Sequence, residues 1–157
     1  PEPSLAAPMP RRAPLWRVLR PNAMLRRVME TNEPDAAAIE ALAYSAFAAI
    51  PKVLRDQVDG VAIRVVDLPD RRTCLDLELD SPYDLLGLYH GLPIDERSVY
   101  DVRQSVDMIF LYRLPLLDYT ESTGEDLFDV VRHVLIHEIG HHFGFSDEEM
   151  EAIEAEE

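Results

Sequence analysis

Apolar positions along the chain fall into a few segments of clear period, separated by proline, glycine and acidic stretches. Pro34 stands at a helix start and is followed by Ile39, Leu42, Ala43, Ala46, Phe47 and Ile50 at helical spacing, which predicts an amphipathic helix ending before Pro51. Gly60 opens Val61–Val66, a β-branched run with partial alternation that predicts a strand. Asp67 to Asp84 is acidic and contains prolines, so a loop with one short helical or extended piece is expected. Leu85–His90 is expected as a second strand, stopped at Gly91 and Pro93, and Asp107–Arg113 as a third, bounded by Pro115. Ser122-Thr-Gly-Glu125 reads as a capping box. Leu127, Val131, Val134 and Leu135 then recur at helical spacing and predict a helix from about Thr123 to Phe143. A short acidic helix from Asp147 to about Ala155 follows. The order helix, strand, strand, strand, helix, helix points to an α+β architecture, a small sheet packed on helices.

Residues 1–32 break with this pattern. Six prolines punctuate them, and from Pro3 to Met29 there are six arginines and no acid. They read as a flexible or loosely docked arm, with residues 33–157 forming one folded domain. The folded part is strongly acidic: the chain carries −15 overall, and from Glu30 onward 29 acids face nine bases. Such a surface disfavours nucleic acid and favours solubility, or partners that are basic or unfolded polypeptides. Cys74 is the single cysteine, which excludes an internal disulfide and fits a reducing cytosol. No stretch approaches the roughly 18 continuous apolar residues of a membrane span. A cytoplasmic protein is the expectation.

The chemistry concentrates in His137-Glu-Ile-Gly-His141-His-Phe-Gly144-Phe-Ser-Asp147. Two histidines four residues apart share a helix face, where neutral imidazoles take two corners of a tetrahedral zinc site. Glu138 beside them is placed to take a proton from a water activated there. Gly144 can leave the helix in a left-handed turn, bringing Asp147 back as a third, oxygen ligand. Glu148 or Glu149 are alternatives for that role, because Ser146-Asp-Glu-Glu149 is itself a capping box with Asp147 in its first turn. A His₂Asp donor set also suits manganese or another divalent ion. The competing reading is a buried helix whose histidines are satisfied by ordinary hydrogen bonds.

Other residues are secondary candidates. His142 points about 100° away around the helix and is expected to pack. His133, one turn before His137, is expected to be structural or to line the cleft. Tyr89 and His90, and more weakly Tyr112 and Tyr100, are candidates for oxyanion stabilisation, with core packing the alternative for Tyr89. Gly140 costs about 1 kcal/mol relative to alanine in a helix and is expected to admit a neighbouring strand.

Four blocks carry a family resemblance: Val58–Asp67, Leu85-Leu-Gly-Leu-Tyr-His-Gly-Leu-Pro93, Met108–Arg113 and Val131–Gly144. With them the chain, from about residue 35 onward, resembles the bacterial zincin-like metallopeptidases. The resemblance implies a minimal zincin-like fold, with His137, His141 and Asp147 at ligand positions for zinc, Glu138 at the catalytic position, and a peptide or protein substrate. The arm lies outside it, and no methionine turn of the kind larger metzincins carry can be placed, so the floor of the site is expected to be minimal. The alternative function is a non-catalytic, metal-stabilised peptide-binding module in a zincin shell. A metal-dependent ribonuclease is disfavoured by histidine spacing and by charge. Neither the substrate nor the oligomeric state follows from the sequence.

Overall fold

A computed structural model of the chain describes residues 33–58, 60–91 and 107–156. The arm expected over residues 1–32, together with Pro93 and Tyr100, lies outside these described residues.

Helix α1 (Ala36–Ala48) starts one step later than Pro34 suggests, because Asp35 is its cap: the side chain accepts from the Ala38 N–H at 2.8 Å. Its buried face is Ile39, Ala43 and Ala46, and the two alanines, fully buried, let its backbone come close to its neighbours. A single-turn helix, α2 (Lys52–Arg55), follows Pro51 and was not legible in the pattern. Strand β1 (Ala62–Val66) alternates as expected, with Ile63 and Val65 inward and Arg64 exposed. The acidic segment after it holds two short pieces, helix α3 (Arg71–Asp76), capped by Asp70, and a 3₁₀ turn at Pro82–Asp84 closed by a capping box on Ser81.

Strands β2 (Gly87–His90) and β3 (Met108–Tyr112) complete a three-stranded sheet of order β1-β3-β2. β3 is parallel to β1, with Ile63 opposite Ile109, and antiparallel to β2, with Tyr89 opposite Ile109. β3 is therefore central and buried, with Ile109 and Leu111 fully enclosed. Among the described residues the edges belong to β1 and β2.

The third strand stops at Tyr112, and Arg113 begins helix α4 (Arg113–Thr123), which the sequence reading missed. Pro115 looks like a strand terminator, but it occupies the first turn of this helix, where no intrahelical N–H is required. The expected capping box at Ser122 is not formed: that segment closes α4 at Gly124, and Asp126 caps the next helix by accepting from the Phe128 N–H at 2.9 Å. The motif helix α5 (Leu127–His142) is thus shorter at its start than expected, and α6 (Asp147–Ala155) follows. α1 packs on β1 and on α5, while α5 packs on β2 and on α6. The mixed α+β architecture, with a small sheet against an N-terminal helix and the motif helix, matches the expected fold class.

Candidate metal centre

The site is built on the circumference of α5. At about 100° per residue, His133, His137 and His141 form one stripe, with Glu138 to one side and Gly140 to the other. The Glu138 side turns to β2. The Gly140 side turns to α6.

On the α6 side, a four-residue connection sets the geometry. The Gly144 N–H bonds to the His141 carbonyl at 3.1 Å and the Phe145 N–H to the Gly140 carbonyl at 2.8 Å, the pattern of a Schellman cap. Gly144 supplies the required left-handed backbone with φ +84°. Ser146 immediately starts α6 with a capping box, accepting from the Glu149 N–H while the Glu149 carboxylate accepts from the Ser146 N–H. Two consecutive backbone caps therefore leave the chain little freedom, and Asp147, first residue of α6, is delivered back over the histidines. Its Oδ1 lies 3.1 Å from His141 Nε2 and 4.0 Å from His137 Nδ1. Asp147 is at once a first-turn acid at a helix N-terminus and the carboxylate beside both histidines.

Gly140 does admit a close neighbour, but it is Met150 of α6 rather than a strand. A Cβ at residue 140 would fall far inside contact distance of Met150 Sδ and 2.8 Å from its Cγ. Met150 is fully buried there, so the motif helix has a methionine against it, contributed by α6. That side of the motif helix is closely packed.

On the β2 side, Glu138 is 5% exposed and its Oε2 accepts the Tyr89 N–H at 3.0 Å. The Tyr112 N–H bonds to the Leu86 carbonyl, so ladder bonds to β3 fall on even-numbered residues of β2 and the Tyr89 N–H points away from the sheet. Burial pushes the Glu138 carboxyl up to about 7, with the Tyr89 N–H pulling partly back. His137 is held below the ordinary imidazole value, first by burial and then by neighbouring His133, so it stays neutral with a lone pair to offer.

Three donors of His137, His141 and Asp147 lie within 4.8 Å of one another. A tetrahedral ion with bonds of about 2.0–2.1 Å needs donors about 3.3 Å apart, within a small side-chain adjustment of this arrangement. Nε2 of His137 is buried and makes no hydrogen bond among the described residues, while the buried Nε2 of His141 faces Asp147 Oδ1 at 3.1 Å. Buried polar atoms are ordinarily paired, so an imidazole with an unpaired nitrogen beside a second imidazole that faces a carboxylate fits a divalent cation.

The secondary candidates are used elsewhere. Tyr89 is 2% exposed, donates its hydroxyl to Asp107 at 2.8 Å and stacks on His142 with ring centroids 3.9 Å apart, so its hydroxyl serves the core. His142 packs, as expected. His90 is exposed at the end of β2. Tyr112 is buried, and its phenol is pushed up to about 12 by burial first and by nearby Asp70, Cys74 and Glu138 after it. His133 meets Glu154, with Nδ1 3.3 Å from Oε1.

Sequence reasoning missed Glu154, although its separation from Asp147 is two helical turns and so places both acids on one face of α6. It also missed the Tyr89 N–H, a backbone group that carries no sequence signal.

Among the described residues no helix is long and apolar enough to cross a membrane. No curated protein matches the chain. Residues 58–157, which hold the whole sheet, the motif helix and α6, match the family model described as zincin-like metallopeptidase. The motif, the fold around it and this match agree, and the chain belongs to the zincin-like metallopeptidase family.

Proposed function

We propose that the protein is a zinc-dependent metallopeptidase that hydrolyses peptide bonds, with His137, His141 and Asp147 holding the ion and Glu138 acting as general base. The observation that carries this reading is the convergence of three donors on one face of α5 with a buried carboxylate beside them. A divalent ion held there would supply positive charge to polarise the scissile carbonyl and to lower the pKa of water towards about 7.

The remaining work falls to the chain. Glu138 accepts the proton of the attacking water and passes it to the leaving amine. A carboxyl near 7 suits both halves of that task at neutral pH. The Tyr89 N–H fixes the carboxylate from behind, so its free oxygen is oriented rather than mobile. β2 lies at a sheet edge that runs past Glu138, and an extended peptide pairing with its remaining outward backbone groups would bring its own backbone to the site. A peptide or protein substrate in the cytoplasm is part of this proposal, supported by the family and by a single unpaired cysteine.

One observation favours the second reading, a metal-stabilised binding module without turnover. Glu138 is enclosed and bonded to backbone as a purely structural carboxylate would be. A mixture of synthetic peptides incubated with the zinc-loaded protein, read by mass spectrometry, separates the two. The peptidase reading expects new termini from the wild type and at least about a hundredfold loss in Glu138→Gln, with zinc content unchanged. Equal behaviour of both proteins leaves the binding module, and loss of zinc from wild type and His137→Ala alike removes the metal centre altogether.

A further inference from the structure

The histidine stripe of α5 is longer than a single site requires. His133, His137 and His141 succeed one another at intervals of one turn, and α6, running alongside, sets Asp147 and Glu154 two turns apart against them. These side chains form two three-donor groups rather than one. His137, His141 and Asp147 are the first; His133, His137 and Glu154 are the second, also with ligand atoms within 4.8 Å of one another. All three members of the second group are only partly exposed, and the rings of His133 and His137 have centroids 4.1 Å apart. Both groups offer two imidazoles and a carboxylate, the donor chemistry of a divalent zinc-type ion.

We propose that α5 and α6 provide a second position for the divalent ion, formed by His133, His137 and Glu154 and displaced about one helical turn from the first. It rests on the reading of His137, His141 and Asp147 as the principal site, because His137 belongs to both. A neutral imidazole has one lone pair to give, so the two positions exclude each other and the chain holds one ion at a time. The second position is the weaker. Glu154 is shared with Arg132, 4.0 Å away, whose charge competes with a cation, whereas Asp147 pairs with the two histidines. It is also displaced along α5 towards His133, away from the His137–His141 interval that contains Glu138, so an ion there is bound without serving hydrolysis. His137 can remain attached while its partners change from His133 and Glu154 to His141 and Asp147, which makes the second group a loading position for the first.

The test is cobalt and zinc titration of the full chain after chelator treatment, with affinity from competition against a chromophoric chelator and geometry from the visible cobalt spectrum. Wild type should bind one equivalent. His141→Ala should still bind one, with affinity lower by roughly ten- to a hundredfold and an altered spectrum. Adding His133→Ala or, separately, Glu154→Gln to His141→Ala should abolish that residual binding; two independent second changes guard against loss through misfolding. The inference is overturned if His141→Ala alone binds nothing, if the residual ion is indifferent to both second changes, or if wild type takes two equivalents. Failure of the principal site looks different: His141→Ala would then bind as tightly as wild type while His133→Ala binds nothing.

Discussion

Glu138 Oε2 accepts the backbone N–H of Tyr89 at 3.0 Å, tying the residue next to His137 to the outward-facing side of strand β2. The bond does three things at once. It satisfies an edge-strand donor, it fixes the rotamer of a carboxylate that is 5% exposed, and it sets the distance between the motif helix and the sheet edge. A helix-borne carboxylate and a strand N–H are thereby one unit, and the consequences of altering it are calculable.

The first concerns pH. The carboxyl of Glu138 titrates near 7 in the fold against an ordinary value of 4.5, because burial disfavours its charge. Between these values the folded chain holds a proton that the unfolded chain has released, so this group's contribution to stability falls as pH rises through that window. The full cost above about pH 7 is on the order of 3 kcal/mol. In chelator, Glu138→Gln should therefore be more stable than wild type at pH 8 and close to it at pH 4.5, read from urea midpoints. A difference independent of pH would show that the carboxyl is not desolvated as described.

The second concerns the contact between α5 and α6. Gly140→Ala gains about 1 kcal/mol of helix propensity but drives a Cβ into Met150, which is fully buried and has nowhere to retreat. Overpacking should win, for a net loss of about 1–2 kcal/mol by denaturant unfolding. Gly140→Ala combined with Met150→Ala should lose less than the two single changes added, since shortening Met150 removes the clash. Strict additivity would mean that the two residues do not touch.

How far the sequence carried this picture differs from element to element. The period of α1 and of the motif helix was plain, because each buries one continuous stripe, and His137, Glu138, His141 and Asp147 were named from spacing alone. α4 was hidden by Pro115, which has the same appearance at the end of a strand as in the first turn of a helix. The start of α5 was misplaced because Ser122 and Asp126 both head plausible caps, and only the left-handed turn at Gly124 decides between them. The central position of β3 was illegible for a different reason. Strand order is a long-range pairing, and Met108–Tyr112 carries only its own alternation, not the identity of its neighbours. The partner of Gly140 and the pairing of His133 with Glu154 were likewise contacts between elements, set by the four-residue turn rather than by either helix.

That turn yields a third prediction. Gly144 has φ +84° and open space around its missing side chain, so Gly144→Ala meets no clash and suffers only the left-handed strain of about 1–2 kcal/mol. Gly144→Asn, which tolerates that conformation, should recover much of the loss. Because the Schellman cap aims Asp147, the alanine variant should also bind zinc less tightly than the asparagine variant. Equal zinc affinities in the presence of unequal stabilities would separate the turn from the site.

The last prediction uses the ion itself. An ion that binds the folded chain and not the unfolded one stabilises it by RT ln(1 + [L]/Kd), about 2.7 kcal/mol at a hundredfold excess over Kd. For a chain of 157 residues this corresponds to a rise in Tm of about 5–10 °C on adding zinc to metal-stripped protein. His137 is the residue through which every described donor group passes, so His137→Ala should show no rise at any zinc concentration. His141→Ala should show the same rise displaced to higher zinc, because an ion can still reach His133, His137 and Glu154. Calorimetric scans over a zinc series on the three proteins read both effects. A rise in His137→Ala equal to wild type would place the ion on other residues, since stabilisation by a ligand requires the groups that hold it.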